Sequence, residues 1–317
     1  MQHPPLSPWW EPEQESERYL PEGPRFLQTE SQPCVAWVNI QTSPEAVSGN
    51  ICLRTWNGPT LTVYQLDRRP GFLLPTTDPN HLLVGMEHQV GMFDIRTNNF
   101  QPLATIPSPH AREIINDAEV HPSGKAIIFG TKDTAFREDV ARLFLYTTED
   151  QAITPLLGGQ TCSNGKVIFP LSPDLLFDID TPTHQVKRYR LDLSQRTLTF
   201  EDVVLDLADR DDFPDGMIGL DDGTVLIAMY HPGDVADGQI LHASLETSKI
   251  LGTIAVPGSP RVTCPLIFDT PQGRQLVATT ATEGMPNALR TRAIHAGCLM
   301  RSPTHLMPLP EVLVQTH

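Results

Sequence analysis

Four side chains with oxygen donors stand out because each comes at the start of a segment with strand character. They are Glu22 in Pro-Glu-Gly-Pro, Asn116 in Ile-Asn-Asp, Asn164 in Ser-Asn-Gly and Asp215 in Pro-Asp-Gly. Carboxylate and amide oxygens are hard ligands, which suit Ca²⁺ or Mg²⁺ better than Zn²⁺ and leave positions for water or a substrate. Taken singly, Asn-Gly and Asp-Gly are also common turn dipeptides. Only a shared position in a larger pattern would indicate a site.

A repeated unit supplies that pattern. Each copy is a short apolar run, a turn rich in Pro, Asp, Asn or Gly, and a second apolar run, which is typical of a β-hairpin. The turns lie near Pro33, Pro79, Pro122, Pro173, Asp222 and Gln272. Consecutive turns are 43 to 51 residues apart, which is the length of one four-stranded propeller blade. The sequence therefore predicts an all-β fold, a six-bladed β-propeller, and a two-sheet sandwich does not explain this spacing.

The predicted architecture brings the four residues together. The first strand of each blade lines the central channel, and all first strands start at the same end of the axis. Glu22, Asn116, Asn164 and Asp215 come just before these strands, whereas the other two blades offer Gly71 and Thr263. Loops after the second strands form a rim at the same end, with polar candidates at Glu87, His88, Lys132, Asp133, Asp178, Asp180, Tyr230 and His231. Of these we expect Asp133, Tyr230 and His231 to contact a substrate.

The charge of the chain narrows the choice of partners. It has 23 Lys and Arg against 38 Asp and Glu, a net charge of -15, which argues against binding a phosphate backbone. No apolar stretch is long enough to predict a membrane span. The five cysteines are widely separated, with no CxxC pair, which favours reduced thiols. We expect a cytoplasmic protein that binds a small molecule, with no nucleic-acid or membrane partner.

Other signatures are missing from the sequence. It has no Walker loop, no GxGxxG after a strand, no HExxH and no GxSxG, so nucleotide binding, zincin proteolysis and serine-esterase chemistry lack their motifs. We expect residues 1–19 to be an N-terminal extension and residues 20–317 to form a single propeller domain.

Further short motifs accompany the four residues. They are Trp37-Val38-Asn39-Ile40 after Pro-Glu-Gly-Pro, Asn116-Asp117 with Pro122-Ser123-Gly124, Ser163-Asn164-Gly165, Asp180-Thr181-Pro182-Thr183, Pro214-Asp215-Gly216 and Thr263-Cys264-Pro265. In this order, from about Leu20 to Glu283, they resemble the senescence marker protein, gluconolactonase and luciferin-regenerating enzyme family, which includes regucalcin.

The resemblance implies a lactonase that uses one divalent metal. It implies that Glu22, Asn164 and Asp215 bind the metal, that Asn116 contacts the substrate and that Asp215 is also the general base. The metal would polarise the carbonyl of a small lactone. We expect Ca²⁺, with Zn²⁺, Mg²⁺ and Mn²⁺ as alternatives.

Two positions depart from the family pattern. One is Ala118, where the family has a small Gly after Asn-Asp. Two residues before Asn116, where the family usually has Arg, this chain has Ile114, so a forked donor for sugar hydroxyls is lost. A substrate hydroxyl pressed against Ile114 would lose water without replacement, at about 1–3 kcal/mol. We therefore expect Ile114 to contact the substrate and to favour a less hydroxylated lactone over gluconolactone.

Two other functions stay open. An open hard-metal site can polarise other esters, which would make the protein an esterase or a phosphotriesterase on the same scaffold. The loss of the arginine also leaves room for a propeller that binds calcium or a metabolite without catalysis.

Overall fold

The computed structural model describes residues 3–29 and 32–316, and within them it contains six four-stranded antiparallel sheets. A short first strand, β1 (Ser7–Trp10), precedes the blades. Blade one contains β2 (Pro21–Gln28), β3 (Pro33–Asn39), β4 (Asn50–Thr55) and β5 (Leu61–Gln65). Blade two contains β6 (Pro70–Pro75), β7 (His81–Met86), β8 (Gln89–Asp94) and β9 (Asn99–Thr105). Blade three contains β10 (Glu113–Val120), β11 (Ala126–Asp133), β12 (Ala141–Thr147) and β13 (Ala152–Gln160).

The second half of the chain repeats this arrangement. Blade four contains β14 (Ser163–Val167), β15 (Leu175–Asp180), β16 (Gln185–Asp192) and β17 (Thr197–Asp206). Blade five contains β18 (Phe213–Gly219), β19 (Thr224–Tyr230), β20 (Gly238–Ser244) and β21 (Lys249–Val256). Blade six contains β22 (Val262–Thr270), β23 (Gly273–Thr280) and β24 (Leu299–Pro303). The short helices are two 3₁₀ turns, Glu15–Glu17 and Thr181–Thr183, and α1 (Asn287–Arg290).

The predicted six-bladed β-propeller is confirmed, and the hairpin turns fall where the repeat places them. Five of the six predicted turn residues lie in or beside the link between the first and second strands of a blade. The sixth, Pro33, is the first residue of β3, next to residues 30 and 31, which lie outside the described part of the chain. None of the helices in the described residues is long and apolar enough to cross a membrane.

The ring closes through the N-terminal strand. Strand β1 pairs antiparallel with β24, with Ser7 opposite Arg301 and Pro8 opposite Met300. It is therefore the outermost strand of blade six. Part of the segment expected as an N-terminal extension thus completes a blade. Residues 1 and 2 lie outside the described residues.

The core lies between neighbouring blades, because each sheet packs on both faces. In β3, for example, Val35, Ala36, Trp37 and Val38 are all fully buried. The Trp37 ring lies 5.1 Å from that of Trp10, so β1 also packs against blade one. The five cysteines are free and buried, as the expectation of reduced thiols requires.

The channel is covered at one end, which we call the lower end. After β24, a C-terminal segment (residues 306–316) crosses this end, with β-bridges from Pro308 to Leu220 and from Val314 to Thr76. Beneath it lies a lower cavity of about 400 Å³, lined by the far halves of the first strands of all six blades and by residues 307–312. The lining of the lower cavity includes five charged residues, Arg25, Glu119, Asp269, Arg274 and Glu311.

Candidate active site

At the upper end, every first strand carries a β-bulge in the same place. The pairing of first and second strands shifts register around Gly23, Gly71, Asn116, Gly165, Asp215 and Thr263. A bulge inserts an extra residue, bends the strand and re-aims its side chains, and such bulges are frequent at the rims of closed sheets. The sequence analysis placed the four oxygen-bearing residues before these strands, whereas the structure places them inside the strands, at or beside the bulges.

The structure brings all four residues to one upper cavity of about 420 Å³, lined by Glu22, Asn116, Asn164 and Asp215. The other two blades contribute differently. The hydroxyl of Thr263 donates to the Pro21 carbonyl oxygen at 2.7 Å, inside the wall. At Gly71 a Cβ atom would lie 2.3 Å from the Ile115 carbonyl oxygen, so only glycine allows blades two and three to approach this closely.

A chain of hydrogen bonds fixes the two amides. The Asn116 Nδ2 donates to Asn164 Oδ1 at 2.7 Å and to the Ser163 carbonyl oxygen at 3.0 Å. The Asn164 Nδ2 in turn donates to the Thr181 Oγ1 at 2.8 Å, and that hydroxyl donates to the Pro214 carbonyl oxygen at 2.9 Å. Because its nitrogen is held by Thr181, Asn164 presents its oxygen toward the axis. Asn116 and a cation would compete for this oxygen.

Two of the four carboxylates that line the upper cavity, Glu22 and Asp215, lie in an environment that disfavours their charged forms. Burial raises the pKa of Glu22 well above its usual range, and the charges of Asp215 and Asp117 raise it further. Burial and the charge of Asp117 likewise raise the pKa of Asp215. Lys132, which lines the same cavity, opposes both shifts. Asp117 lines neither cavity, yet its charge also acts on Glu119 at the lower end.

These residues fit a hard divalent cation. The Asp215 Oδ1 is buried without a hydrogen-bond partner among the described residues, and an unpaired buried carboxylate oxygen is costly. A cation would pair this oxygen, offset the repulsion between Glu22 and Asp215 and accept the Asn164 oxygen, a donor set typical of Ca²⁺ or Mg²⁺. The site chemistry thus agrees with the ligand types read from the sequence.

Two of the expected rim residues line the cavity but are already engaged. The Asp133 carboxylate accepts from Arg112 Nε at 2.8 Å and from the backbone amides of Ala135, Arg137 and Glu138 at 3.0 Å. These bonds hold its pKa far below the usual range against the effect of burial. Asp133 therefore shapes the loop 133–138, from which Phe136 reaches the cavity with a backbone φ of 51°.

Tyr230 forms part of a second polar wall. Its hydroxyl donates to the Glu283 carbonyl oxygen at 3.2 Å, and the Arg261 guanidinium lies 5.4 Å from the centre of its ring. Burial and the charge of Glu283 raise the pKa of Tyr230 well above its usual range. Tyr230 is therefore a neutral hydrogen-bonding group at any physiological pH.

Two expected substrate contacts do not line the cavity. Ile114 is only 1% exposed. The bulge between Ile115 and Ala118 breaks the alternation that would place residues 114 and 116 on one face. The His231 Nδ1 accepts a hydrogen bond from the Gly233 amide at 3.1 Å, and its neighbours Tyr230 and Pro232 line the cavity in its place.

Four other rim candidates make contacts within the protein and do not line the cavity. Glu87 pairs with Arg69, and the His88 ring bonds the Glu113 carbonyl oxygen at 2.7 Å. Asp178 pairs with the buried Lys166 at 3.3 Å, and Asp180 accepts two backbone amides at 3.0 Å. None of these four lines the upper cavity.

Some lining residues were missed by the sequence analysis. Gln41 and Glu283 follow the second strands of blades one and six, so the rim rule, applied there too, would have found them. Arg261 comes just before the first strand of blade six, where Thr263 was chosen instead. Phe136 follows the second strand of blade three in the same way, so the rim rule covers its loop as well, although the polar residues of that loop were chosen instead.

A second group of potential ligands lies elsewhere. The ligand atoms of Glu11, His295 and Cys298 lie within 4.8 Å of one another. However, the Arg18 Nη1 lies 3.9 Å from the Cys298 sulfur, so a cation there would meet an existing positive charge. The upper cavity fits a cation better.

Fold and cavity together define a six-bladed propeller with an oxygen-donor site at one end of its axis. The chain belongs to the SMP-30/gluconolactonase/LRE-like family, whose model matches residues 20–282. This matched range contains all four oxygen-bearing residues of the cavity.

Among curated relatives, the chain is 28% identical over 173 residues to an uncharacterized protein of Sulfolobus acidocaldarius; the match spans 55% of this chain and 59% of that protein. It is 25% identical over 220 residues to the putative sugar lactone lactonase YvrE of Bacillus subtilis, covering 69% of this chain and 72% of that one. The chain thus spans less than two thirds of the first of these relatives.

Solved structures share the fold. A calcium-binding protein, regucalcin, from Agrobacterium tumefaciens superposes with a TM-score of 0.82 at 18% identity, covering 99% of both chains. A luciferin-regenerating enzyme gives 0.81 at 16% identity, covering 99% of this chain and 100% of that one. A gluconolactonase from Xanthomonas campestris gives 0.63 at 15% identity, covering 93% and 87%.

Proposed function

We propose that this protein is a metal-dependent lactonase that opens a small lactone to its hydroxy acid in the upper cavity. The observation that supports it most directly is the unpaired, buried Asp215 Oδ1 beside a second carboxylate, Glu22. Family membership and the putative lactonase among the relatives support the same reaction class.

The proposed metal ligands are Glu22, Asn164 and Asp215, with Ca²⁺ as the first choice and Mg²⁺, Mn²⁺ or Zn²⁺ as alternatives. The cation would supply Lewis-acid polarisation of the lactone carbonyl. Two negative charges and one amide leave several of the six to eight positions of a calcium ion for water and substrate.

The chain's own residues handle the proton and the substrate. Asp215 accepts the proton of the attacking water, and that proton is then available to the ring oxygen that leaves as a hydroxyl group. Asn116, whose nitrogen is held 2.7 Å from Asn164 Oδ1, orients the substrate. We also propose a cytoplasmic location, which the five free cysteines support.

The test is an assay panel on metal-stripped protein. A lactone, an aryl ester and a phosphotriester are each measured without metal and with Ca²⁺, Mg²⁺, Mn²⁺ or Zn²⁺. We expect metal-dependent opening of the lactone, and its loss in Asp215→Asn. The matched control is Glu119→Gln, which removes a carboxylate from the lower cavity of the same channel and should leave turnover unchanged.

Other outcomes of the panel identify the rival functions. Faster turnover of the aryl ester or the phosphotriester would assign the protein to that reaction. Metal binding with no turnover of any substrate would identify a binding propeller and sink the lactonase proposal.

A further inference from the structure

Within the described residues, one positively charged side chain of the upper cavity, that of Lys132, has no ion-pair or hydrogen-bond partner. Lys132 lines the cavity and is half-buried, and no residue in the described ranges 3–29 and 32–316 forms a hydrogen bond or ion pair with its ammonium group. The ammonium group is therefore left to water or to a ligand that enters the cavity.

The other charges of the cavity are shared with other groups. Asp133 is held by Arg112 at 2.8 Å. Glu283 and Arg261 both act on Tyr230, and the charge of Glu283 also raises the pKa of Asp215. Asp117, which does not line the cavity, raises the pKa values of Glu22 and Asp215 and also acts on Arg25, at the lower end. Lys132 acts on the same two carboxylates in the opposite direction and lowers both pKa values.

A bound metal cation reverses the electrostatic effect of Lys132 in the cavity. Once Glu22 and Asp215 pair with a dication, Lys132 becomes a like charge beside it. A lysine in this position weakens metal binding unless a further anion enters the cavity.

We infer that Lys132 recognises the carboxylate of the ring-opened acid next to the metal, so that the cavity is built to hold an anionic ligand. The inference rests on the proposed function for the identity of the acid, because opening a lactone creates one carboxylate where a neutral ring stood. The backbone supports this placement: Lys132 pairs in register with Ile114 and forms a bridge to Cys162, between the strands that carry Asn116 and Asn164.

A simpler role for Lys132 makes a different prediction. If Lys132 only offsets Glu22 and Asp215 in the metal-free protein, its removal should tighten metal binding and leave carboxylate binding unchanged. If it also binds the acid, its removal should tighten the metal and loosen the acid.

The experiment measures both affinities by calorimetry. Ca²⁺ is titrated into metal-free protein, and 4-hydroxybutyrate, the ring-opened form of γ-butyrolactone, is titrated into calcium-loaded protein. The variants are Lys132→Met, which keeps the length of the chain without the charge, and Lys132→Arg, which keeps the charge. The neutral 4-hydroxybutyramide is the matched ligand control.

We expect Lys132→Met to bind Ca²⁺ about tenfold more tightly and 4-hydroxybutyrate about tenfold more weakly, the effect of one charge pair. Lys132→Arg should resemble the wild type in both, and the amide should bind all three proteins equally. This opposite pair of changes separates recognition from a structural defect, which would weaken both.

The inference is overturned if calcium-loaded wild type does not bind 4-hydroxybutyrate, or if Lys132→Met binds it as tightly as wild type. Weaker Ca²⁺ binding by Lys132→Met also overturns it. These readouts do not require turnover: a protein that binds the acid through Lys132 but opens no lactone would refute the proposed function alone.

Discussion

The two ends of the channel hold cavities of nearly equal volume, about 420 Å³ at the upper end and about 400 Å³ at the lower end. Both are lined by carboxylates: Glu119, Asp269 and Glu311 at the lower end, and Glu22, Asp133, Asp215 and Glu283 at the upper end. At the lower end the charge of Arg25 acts on Glu119 and on Glu311, which belongs to the C-terminal segment. At the upper end the described residues contain no arginine paired with Glu22 or Asp215, and one carboxylate oxygen has no partner.

The comparison shows that volume alone does not identify a site. The lower cavity places an arginine, which is always charged, beside its carboxylates. In the upper cavity the cation that acts on Glu22 and Asp215 is Lys132, and the Asp215 Oδ1 has no hydrogen-bond partner among the described residues. Asp117 acts on carboxyl groups at both ends.

The largest expected effect comes from removing the lower arginine. Arg25→Met removes the cation whose charge acts on both Glu119 and Glu311. Because Arg25 and Glu119 are half-buried and Glu311 is exposed, we expect a loss of about 1–3 kcal/mol of unfolding free energy, between that of an exposed pair and that of a buried pair. Arg274→Met is the control, because Arg274 lines the same cavity but pairs with Asp269, which is 70% exposed; exposed pairs contribute at most about 1 kcal/mol. Urea unfolding at pH 8 measures both, and equal losses would contradict the internal pairing at the lower end.

The next effect is a pH dependence from the lower carboxyls. Burial raises the pKa of Glu119 to about 7, from an ordinary 4.5, and raises that of Glu311 to about 7. The folded state therefore binds more protons than the unfolded state in this range, so stability should be full below about pH 4.5 and fall as the pH rises through 7. Glu119→Gln should reduce this pH-dependent change in unfolding free energy by up to about 3 kcal/mol. Urea unfolding from pH 4.5 to 8 measures it. An unchanged slope in Glu119→Gln, relative to an Asp269→Asn control, would contradict the assignment.

The sequence predicts the fold well because the hairpin spacing is local information. It also places four oxygen donors at one end of the axis, since the strand order fixes the direction of every first strand. It does not predict the bulges, which arise where neighbouring strands shift register. For this reason Ile114 was expected in the cavity but lies outside its lining. The cluster at the lower end joins residues 25, 119 and 311, and no short motif signals such a distant combination.

A third prediction compares one carboxylate from each end. Glu22→Gln should weaken Ca²⁺ and Mn²⁺ binding by about a hundredfold, because it removes a charge that faces the cation while nearly conserving shape. Glu119→Gln should not change either affinity. Calorimetric titration measures the metal affinity of both variants. An unchanged affinity in Glu22→Gln would exclude Glu22 as a metal ligand.

The smallest effect concerns Ile114. Because Ile114 is 1% exposed and does not line the cavity, Ile114→Val should cost about 0.5–1.5 kcal/mol of stability. It should not change the ratio of kcat/KM for gluconolactone and an unsubstituted lactone. A changed ratio in this variant would show that Ile114 contacts the substrate, as the sequence predicts.

The closure of the ring by β1 has a consequence for the growing chain on the ribosome. Ser7 pairs with Arg301, so the first strand is made long before its partner exists. At about 5–20 residues per second, synthesis of the intervening chain takes roughly 15–60 s. Throughout this time Trp9 and Trp10 lack the blade-six edge on which β1 finally docks. The nascent chain therefore carries two tryptophans on an unpaired strand until its last blade emerges, and that interval is when a chaperone would recognise it.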